Sequence, residues 1–290
     1  MIPRAPDFIC IGAQKAATSW LYQALRHQRE VYVPPIKELH YFSELYLDGV
    51  RRFGPGHRGK QAAGVRKYLA SLSTLTPRQT GMLACLDGIE TEPLNDDWYK
   101  TIFSFAGKAQ TACDICPAYM ILPDEAIAHV LSLNPNVKIL LIVRDPVSRM
   151  WSQIRMHKKR GSFSGNLQEF RDGTTSLKPY KRRTDYAQYI PRWRAAVPTE
   201  SFMMMTHDEV KASGHSALEK ICRFIGVQNM SPRAVDNDPA HVGEAMAFPP
   251  EFRAFLLDEL MAQYDFLADI FPQETKTWLA KHRAKIDQAV

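Results

Sequence analysis

The sequence predicts an α/β fold, a three-layer sandwich with a central, mostly parallel sheet between two layers of helices. Two observations predict this fold class. Short apolar runs alternate with stretches of helical periodicity along the chain. The strongest run, Lys138–Val143 (KILLIV), has the length and composition of a strand that is buried on both faces, as strands of parallel sheets are.

The chain opens with a strand, a turn and a helix. Phe8–Ile11 is a fully apolar run that ends at Gly12, and apolar residues repeat with helical spacing from Leu21 onward. Thr18 and Ser19 stand where the helix should begin, and their hydroxyls suit a helix cap.

The next part of the chain contains a weaker signal. Val31–Val33 is a second strand candidate, and Glu38–Phe42 alternates in a way that predicts an extended segment. The stretch from Ser43 to Asp97 is rich in glycine and basic residues and has no clear apolar period. We interpret it as an insertion or a mobile substrate-specificity region within a single domain spanning residues 1–290.

The second half of the chain repeats the alternation of strands and helices. Its predicted elements are a strand at Thr111–Cys116, a helix from Asp124, the strand Lys138–Val143, a helix from Pro146 to about Arg160, a strand at Phe202–Thr206, a helix capped by Ser216 and Glu219 that ends at Gly226, and a helix from Pro250 to about Tyr264. In parallel sheets of this kind, ligands bind at the carboxyl ends of the strands, beside helix N-termini.

Composition narrows the class of protein. The chain has 290 residues, 45% hydrophobic and 23% charged, which is typical of globular proteins and argues against a disordered, collagen-like or coiled-coil chain. Its five cysteines are an odd number, which argues against a disulfide framework, and no apolar run reaches the roughly 18 residues of a membrane span. The N-terminus lacks the pattern of a secretory signal. We expect a cytoplasmic protein whose net charge of +6 favours an anionic partner.

The segment between the first strand and the first helix, Gly12–Ser19, reads GAQKAATS. Backbone N–H groups at a helix start attract an anion, Lys15 adds a positive charge, and Thr18 and Ser19 add hydroxyl donors. This predicts a P-loop-like phosphate-binding turn. The turn differs from the kinase pattern G-x-x-x-x-G-K-[ST], because the second glycine is missing and Lys15 does not directly precede the hydroxyl residues. Taken alone, it also fits a plain connection with an exposed lysine.

Three motifs occur in order along the chain: Gly12-x-x-Lys15-x-x-Thr18-Ser19 followed by Pro34–Phe42 (PPIKELHYF), then Asp114-x-x-Pro117-Ala118-Tyr119, then Leu141–Ser152 (LIVRDPVSRMWS). The first resembles the 5′ signature of sulfotransferases that use 3′-phosphoadenosine 5′-phosphosulfate (PAPS), and the last resembles their second signature. The middle motif is similar to their E-K-x-P-x-Y stretch. The likeness is closest to the heparan-sulfate type and its bacterial relatives, and it covers most of the chain outside the Ser43–Asp97 stretch.

The resemblance implies which residues bind PAPS. Arg144 and Ser152 correspond to the family's arginine at the strand end and the serine eight residues later, which hold the 3′-phosphate. Ser152 lies about two turns into the helix that follows Arg144, so a phosphate could lie between them. The plainer alternatives are a local ion pair between Arg144 and Asp145, and an ordinary helical serine. The remaining donor-binding residues implied are Gly12, Gln14, Lys15, Ala16, Ala17, Thr18 and Ser19.

The resemblance also implies catalytic roles. In an extended segment Glu38, His40 and Phe42 would point to one face, which would bring the carboxylate and the imidazole together. By resemblance Glu38 is the base that removes the acceptor proton, His40 assists it, and Lys15 stabilises the charge on the bridging oxygen. A solvated carboxylate and a packed histidine are the alternatives. We interpret Lys37 as a surface cation.

Two departures from the family pattern are visible. Ile115 stands where the heparan-sulfate enzymes have an active-site lysine, which puts their acceptor geometry in doubt here. The late basic loop that covers the nucleotide is missing, because Arg233 is the only lysine or arginine between Met230 and Phe252.

Other clusters have simpler interpretations. Cys113 and Cys116 form a C-x-x-C, but it ends a strand and no second ligand pair has zinc-site spacing, so we expect ordinary buried thiols. Two basic groups are expected to be solvated faces, with an acidic acceptor or the 3′ side of the nucleotide as the alternative ligand. They are Arg155, Lys158, Lys159 and Arg160, and Lys178, Lys181, Arg182 and Arg183.

The sequence therefore predicts a PAPS-dependent sulfotransferase. Its acceptor is expected to be a hydroxyl, in preference to an amine, of a carbohydrate-containing or small molecule, and no metal is expected because a sulfuryl group carries less charge than a terminal phosphoryl group. Two alternatives stay open. A P-loop kinase-like phosphotransferase would need ATP and Mg²⁺, and a basic nucleic-acid-binding protein would need aromatics interleaved with its cations.

Overall fold

Five parallel strands form the central sheet, in the order β2–β3–β1–β4–β5. They are β1 (Phe8–Gly12), β2 (Val31–Tyr32), β3 (Thr111–Ile115), β4 (Lys138–Val143) and β5 (Phe202–Thr206). These and all later features come from a computed structural model that describes residues 2–49, 54–91, 94–231 and 246–288.

Helices flank the sheet and confirm the predicted α/β fold class. They are α1 (Thr18–Arg26), α2 (Tyr41–Tyr46), α3 (Gly54–Ala70), α4 (Pro77–Ile89), α5 (Asp96–Phe103), α6 (Asp124–Leu133), α7 (Pro146–Lys159), α8 (Leu167–Arg171), α9 (Lys178–Arg182), α10 (Tyr186–Ala196), α11 (His207–Ala212), α12 (Gly214–Phe224), α13 (Pro250–Glu259), α14 (Met261–Ala268) and α15 (Pro272–Asp287). Short 3₁₀ turns occupy Tyr119–Ile121 and Thr199–Ser201. Within the described ranges, no helix combines the length and the apolar character needed to cross a bilayer.

The two central strands are the most deeply buried. Every residue of β1 and every residue of β4 after Lys138 is buried, which explains their uniformly apolar sequences. The register pairs Cys10 with Ile115 on one side and with Leu140 on the other, and it shifts at Gly12. The carboxyl ends of β3, β1 and β4 therefore lie side by side at one edge of the sheet.

The prediction that Glu38–Phe42 is extended is wrong. Glu38 and His40 adopt left-handed backbone angles, with φ of 63° and 61°, and helix α2 begins directly afterwards at Tyr41. Left-handed angles are uncommon for residues other than glycine, and local sequence patterns do not reveal them. Here contacts from elsewhere in the fold hold the segment, as when Arg58 donates to the carbonyl of Leu39 at 3.0 Å.

Three helix boundaries also differ from the predictions. The N-cap of α1 is Ala17, with a left-handed φ of 62°, so Thr18 is the first helical residue and no side chain caps the helix. The cap of α12 is Ser213, which accepts from the N–H of Ser216, so Ser216 and Glu219 lie inside that helix. The helix predicted from Pro250 breaks at Leu260 into α13 and α14.

The stretch from Ser43 to Asp97 is largely helical, with α3 and α4 wholly inside it. Leu86 and Ile89 of α4 are buried in the hydrophobic core. Glu44 of α2 and Arg58 of α3 form a buried ion pair within this stretch, which joins α3 to α2.

Candidate active site

The turn that follows β1 has a backbone path that depends on Gly12. Its φ is 154°, and a Cβ at this position would lie 3.2 Å from the Cβ of Met120 and 3.4 Å from the carbonyl oxygen of Pro117. Lys15 and Ala17 then adopt left-handed angles, with φ of 71° and 62°. The turn therefore brings the backbone close to the end of β3 before α1 begins.

The start of α1 offers backbone donors. The first backbone bond of the helix runs from the N–H of Leu21 to the carbonyl of Ala17, so the N–H groups of Thr18, Ser19 and Trp20 are not used inside the helix. No side chain caps them. The N-terminus of α1 is therefore suited to bind an anion.

Several cations face this turn. Arg144, at the end of β4, donates from its guanidinium to the backbone carbonyl of Lys15. Burial lowers the pKa of Lys15, and the positive charge of Arg144 lowers it further. Arg155, Arg160 and Lys37 act in the same direction. This grouping of positive charges around Lys15 fits a polyanionic ligand, which would relieve the repulsion.

Arg144 is not committed to a local ion pair with its neighbour. The Asp145 carboxylate accepts from Ser148, from Tyr264 and from His282, whose Nε2 lies 2.6 Å from Oδ2. This arrangement disfavours the plainer alternative for Arg144. Ser152 lies on α7, about two turns after Arg144, and is buried with 8% of its surface exposed.

Lys37 connects the turn to the predicted base, and its interpretation as a surface cation is wrong. Its Nζ donates to Thr18 Oγ1 at 3.1 Å, to Ser19 Oγ at 3.4 Å and to Glu38 Oε1 at 2.7 Å. Only 13% of its side chain is exposed. Sequence reasoning missed this role because the contact depends on the left-handed bend at Glu38, which turns the lysine toward α1.

The side chains of Glu38 and His40 lie close together, although the segment that carries them is not extended. His40 Nε2 lies 3.6 Å from Glu38 Oε2, and His40 Nδ1 lies 3.7 Å from the sulfur of Cys116. Burial opposes ionisation of Glu38, but the hydrogen bond from His40 and the charge of Lys37 hold its pKa well below the ordinary range. Burial likewise opposes charging of His40, but Cys116 and Glu38 raise its pKa.

Helix α3 fastens the segment that carries these residues. Gln61 Nε2 donates to the carbonyl of Lys37 at 2.6 Å, and the N–H of Lys37 lies 3.3 Å from Gln61 Oε1. The ring of His57 stands edge-on to that of His40, with centroids 5.3 Å apart. The sequence contains no local signal for these contacts, because α3 lies in the stretch without apolar periodicity.

A cavity of about 370 Å³ lies beside α9, near the segment that follows α2. Its lining residues are Leu47, Asp48, Ile121, Lys178, Pro179, Arg182 and Arg183. Burial lowers the pKa of Arg183, and the charge of Glu38 opposes that shift, so the guanidinium is within electrostatic reach of the carboxylate. Arg183 thus places a cation near Glu38, whereas Ile115 is buried and contributes a backbone carbonyl that accepts from the N–H of Glu38 at 3.2 Å.

The structure also locates most of the remaining residues that the sequence analysis singled out. Gln14, Ala16 and the rest of the turn lie between β1 and α1. Cys113 and Cys116 are buried free thiols, as predicted, although Cys116 contacts His40. Arg233 lies outside the residues that the structure describes.

A family model, a curated relative and solved structures that match this chain all point to one family. A family model described as "Sulfotransferase family" matches residues 6–232. Human heparan sulfate glucosamine 3-O-sulfotransferase 5 is 25% identical over an aligned stretch of 150 residues. The match covers 47% of this chain and 41% of the relative, so the chain spans about two fifths of the length of that curated relative. The crystal structure of a sulfotransferase from Alicyclobacillus acidocaldarius covers 94% of this chain and 98% of its own, with a TM-score of 0.63 and 20% identity. A sulfotransferase domain from the Synechococcus PCC 7002 olefin synthase covers 87% and 84%, with a TM-score of 0.57 and 17% identity. Both structures share the fold of this chain.

Proposed function

Because this chain belongs to the sulfotransferase family, we propose that it transfers a sulfuryl group from PAPS to a hydroxyl, in preference to an amine, of a carbohydrate-containing or small-molecule acceptor. One observation carries the proposal: Lys37 bonds both the hydroxyls at the start of α1 and the carboxylate of Glu38. An anion site and a base are thereby joined by one side chain, as a transfer between a bound donor and an acceptor hydroxyl requires.

The donor would bind along the ends of β1 and β4. The uncapped N-terminus of α1, with Lys15 and the hydroxyls of Thr18 and Ser19, supplies donors for the 5′ phosphosulfate. Arg144 and the buried Ser152 are assigned to the 3′-phosphate. We expect no metal in this step, since these cations are already placed to balance the donor's charge.

Transfer begins when Glu38 accepts the proton of the acceptor hydroxyl. The acceptor oxygen forms its bond to sulfur while the bond from sulfur to the bridging phosphate oxygen breaks in line, and that oxygen leaves with the electron pair. Lys15 stabilises its new charge, and His40 orients Glu38. An anion at the turn competes with Glu38 for Lys37, and this raises the pKa of the carboxylate toward a value useful for a base.

The acceptor would enter through the cavity beside α9, where Arg183 is within electrostatic reach of Glu38. Lys178, Arg182 and Arg183 support an acceptor that carries anionic groups, and Leu47 and Ile121 add apolar contact. The curated relatives are named for glucosamine units of heparan sulfate, which supports a sugar-containing acceptor. The reduced, buried cysteines support a reducing compartment such as the cytoplasm.

Calorimetry with 3′-phosphoadenosine 5′-phosphate tests the donor site. We expect wild type to bind it without Mg²⁺ and Arg144→Ala to bind it at least tenfold more weakly, because a bidentate guanidinium contact with phosphate is lost. Arg223→Ala is the matched control, since Arg223 is exposed on α12. If wild type does not bind, or binds ATP with Mg²⁺ instead, the proposal fails. If Arg144→Ala binds as wild type does, only the assignment of Arg144 fails.

A further inference from the structure

A cluster of metal-ligating side chains lies beside the proposed base. Glu38, His40 and His57 each offer a donor atom, and these three atoms lie within 4.8 Å of one another. In the part of the chain that the structure describes, this is the one group of three such residues found. His57 comes from α3 and has no part in the transfer step proposed above.

The donor set is that of a catalytic zinc site. Two histidines and one glutamate hold Zn²⁺ with three protein ligands and leave a fourth position open. Ligand atoms about 2.1 Å from a tetrahedral ion lie about 3.4 Å apart, so the 3.6 Å between His40 Nε2 and Glu38 Oε2 already fits. His57 would need only a small side-chain movement.

The surroundings hold one of these ligands in place. His40 directs Nδ1 to the sulfur of Cys116, which leaves Nε2 facing Glu38. Such an outer contact fixes the orientation of a ligating imidazole. His57 Nε2 accepts from the amide Nε2 of Gln61 at 2.8 Å, and a metal bound at this nitrogen would replace that hydrogen bond.

We propose that Glu38, His40 and His57 bind one Zn²⁺ ion or a similar divalent transition metal, and that the bound ion inhibits the enzyme. The ion would take the lone pair with which Glu38 accepts the acceptor proton, and it would displace Lys37 from Glu38. The binding does not depend on the function proposed above, whereas the inhibition rests on it.

Cobalt spectroscopy tests the binding without donor or acceptor. Tag-free protein is treated with a chelator, desalted and titrated with Co²⁺, and we expect the visible absorption of a tetrahedral site to saturate at one ion per chain and to vanish when Zn²⁺ is added. His57→Ala and the more conservative His57→Gln should lose this signal. His129→Ala should keep it, because His129 pairs with Asp96 outside the cluster. No saturable signal in wild type, or an unchanged signal in both His57 variants, overturns the proposal.

Turnover tests the inhibition. Each protein's own rate in chelator is its reference, and added Zn²⁺ should reduce the rate of wild type and His129→Ala at least tenfold relative to that reference while leaving the rate of His57→Ala at its reference. Equal inhibition of all three proteins overturns the inhibitory role. If no protein transfers sulfuryl groups in chelator, the proposed function fails, and the cobalt titration still decides the metal site.

Discussion

At the scale of single residues, Lys37 links two parts of the site. It contacts Glu38 at 2.7 Å and Thr18 at 3.1 Å, so one ammonium group touches both the proposed base and the proposed anion site. A carboxylate held by a lysine and a histidine is a weak base in the unliganded protein. In the proposed mechanism, a bound anion would draw Lys37 away from Glu38, which would couple donor binding to activation of the base.

Glu38→Gln tests the role of the base. The amide keeps the shape of the side chain but cannot accept a proton, so we expect kcat to fall about 10²- to 10⁴-fold. Binding of 3′-phosphoadenosine 5′-phosphate, measured by calorimetry, should persist. Glu219→Gln on the exposed face of α12 is the control. Near-normal turnover by Glu38→Gln would remove Glu38 as the base.

The proposed role of Lys15 predicts that donor binding depends on pH. Burial, Arg144 and the other nearby cations lower its pKa, so it loses its proton at a lower pH than an ordinary lysine. Anion binding needs the charged form, and affinity should therefore fall as pH rises. Calorimetry at about pH 7.5 and about pH 9.5, where the phosphates stay fully ionised, should show this fall in wild type and a smaller one in Lys15→Arg. A wild-type affinity that stays constant over this range would contradict the prediction.

At the scale of elements, α3 maintains a strained segment. Glu38 and His40 have left-handed backbones, and each such residue costs on the order of 1–3 kcal/mol unless its surroundings enforce it. Gln61 binds both the N–H and the carbonyl of Lys37, and Arg58 binds the carbonyl of Leu39. The helix thus holds the backbone on either side of Glu38.

Gln61→Ala tests whether Gln61 positions Glu38 for catalysis without taking part in donor binding. Two hydrogen bonds to Lys37 disappear, which should lower the free energy of unfolding by about 1–2 kcal/mol. Glu38 then loses its alignment, and we expect kcat to fall about 10- to 100-fold with little change in the KM of the donor. Steady-state kinetics and urea unfolding measure both effects, with exposed Gln168→Ala as the control. Lost stability with unchanged kcat would show that Gln61 is only structural.

At the scale of the whole molecule, Asp145 joins the sheet to the C-terminal helices. It lies two residues after β4 and accepts from Tyr264 of α14 and from His282 of α15. Arg253 of α13 contacts the other nitrogen of His282 at 2.8 Å. Two distant helices therefore contact the residue next to Arg144, and a third reaches it through His282.

Asp145→Asn should destabilise the whole chain. The carboxylate is 5% exposed, and removing a buried charge from its partners costs about 3–5 kcal/mol. Burial opposes ionisation, but His282 and the hydroxyl donors hold the pKa of Asp145 below its ordinary value. Its contribution is therefore complete above about pH 4 and is lost as pH falls through the native pKa. Urea unfolding at neutral pH measures the loss, and exposed Asp265→Asn should match wild type. Equal stability of Asp145→Asn and wild type would contradict this role.

Much of this architecture could be predicted from the sequence. The strands Lys138–Val143 and Phe202–Thr206 have the predicted bounds, because buried strands have a local apolar signature. The position of the turn after β1 was predictable because the turn directly follows such a strand. The bend at Glu38 and the approach of His57 and Arg183 were not, since tertiary contacts between distant segments impose them.

The order of the strands has an evolutionary consequence. β1 lies between β3 and β4, so the segments that carry Lys15, Ile115 and Arg144 stay adjacent through the sheet alone. The cavity, by contrast, is lined from α9 and from the end of α2, at the periphery. Duplication and recombination can thus exchange peripheral segments without disturbing the central strands. On the proposed function, such an exchange would change the acceptor and leave the anion site of the central strands as it is.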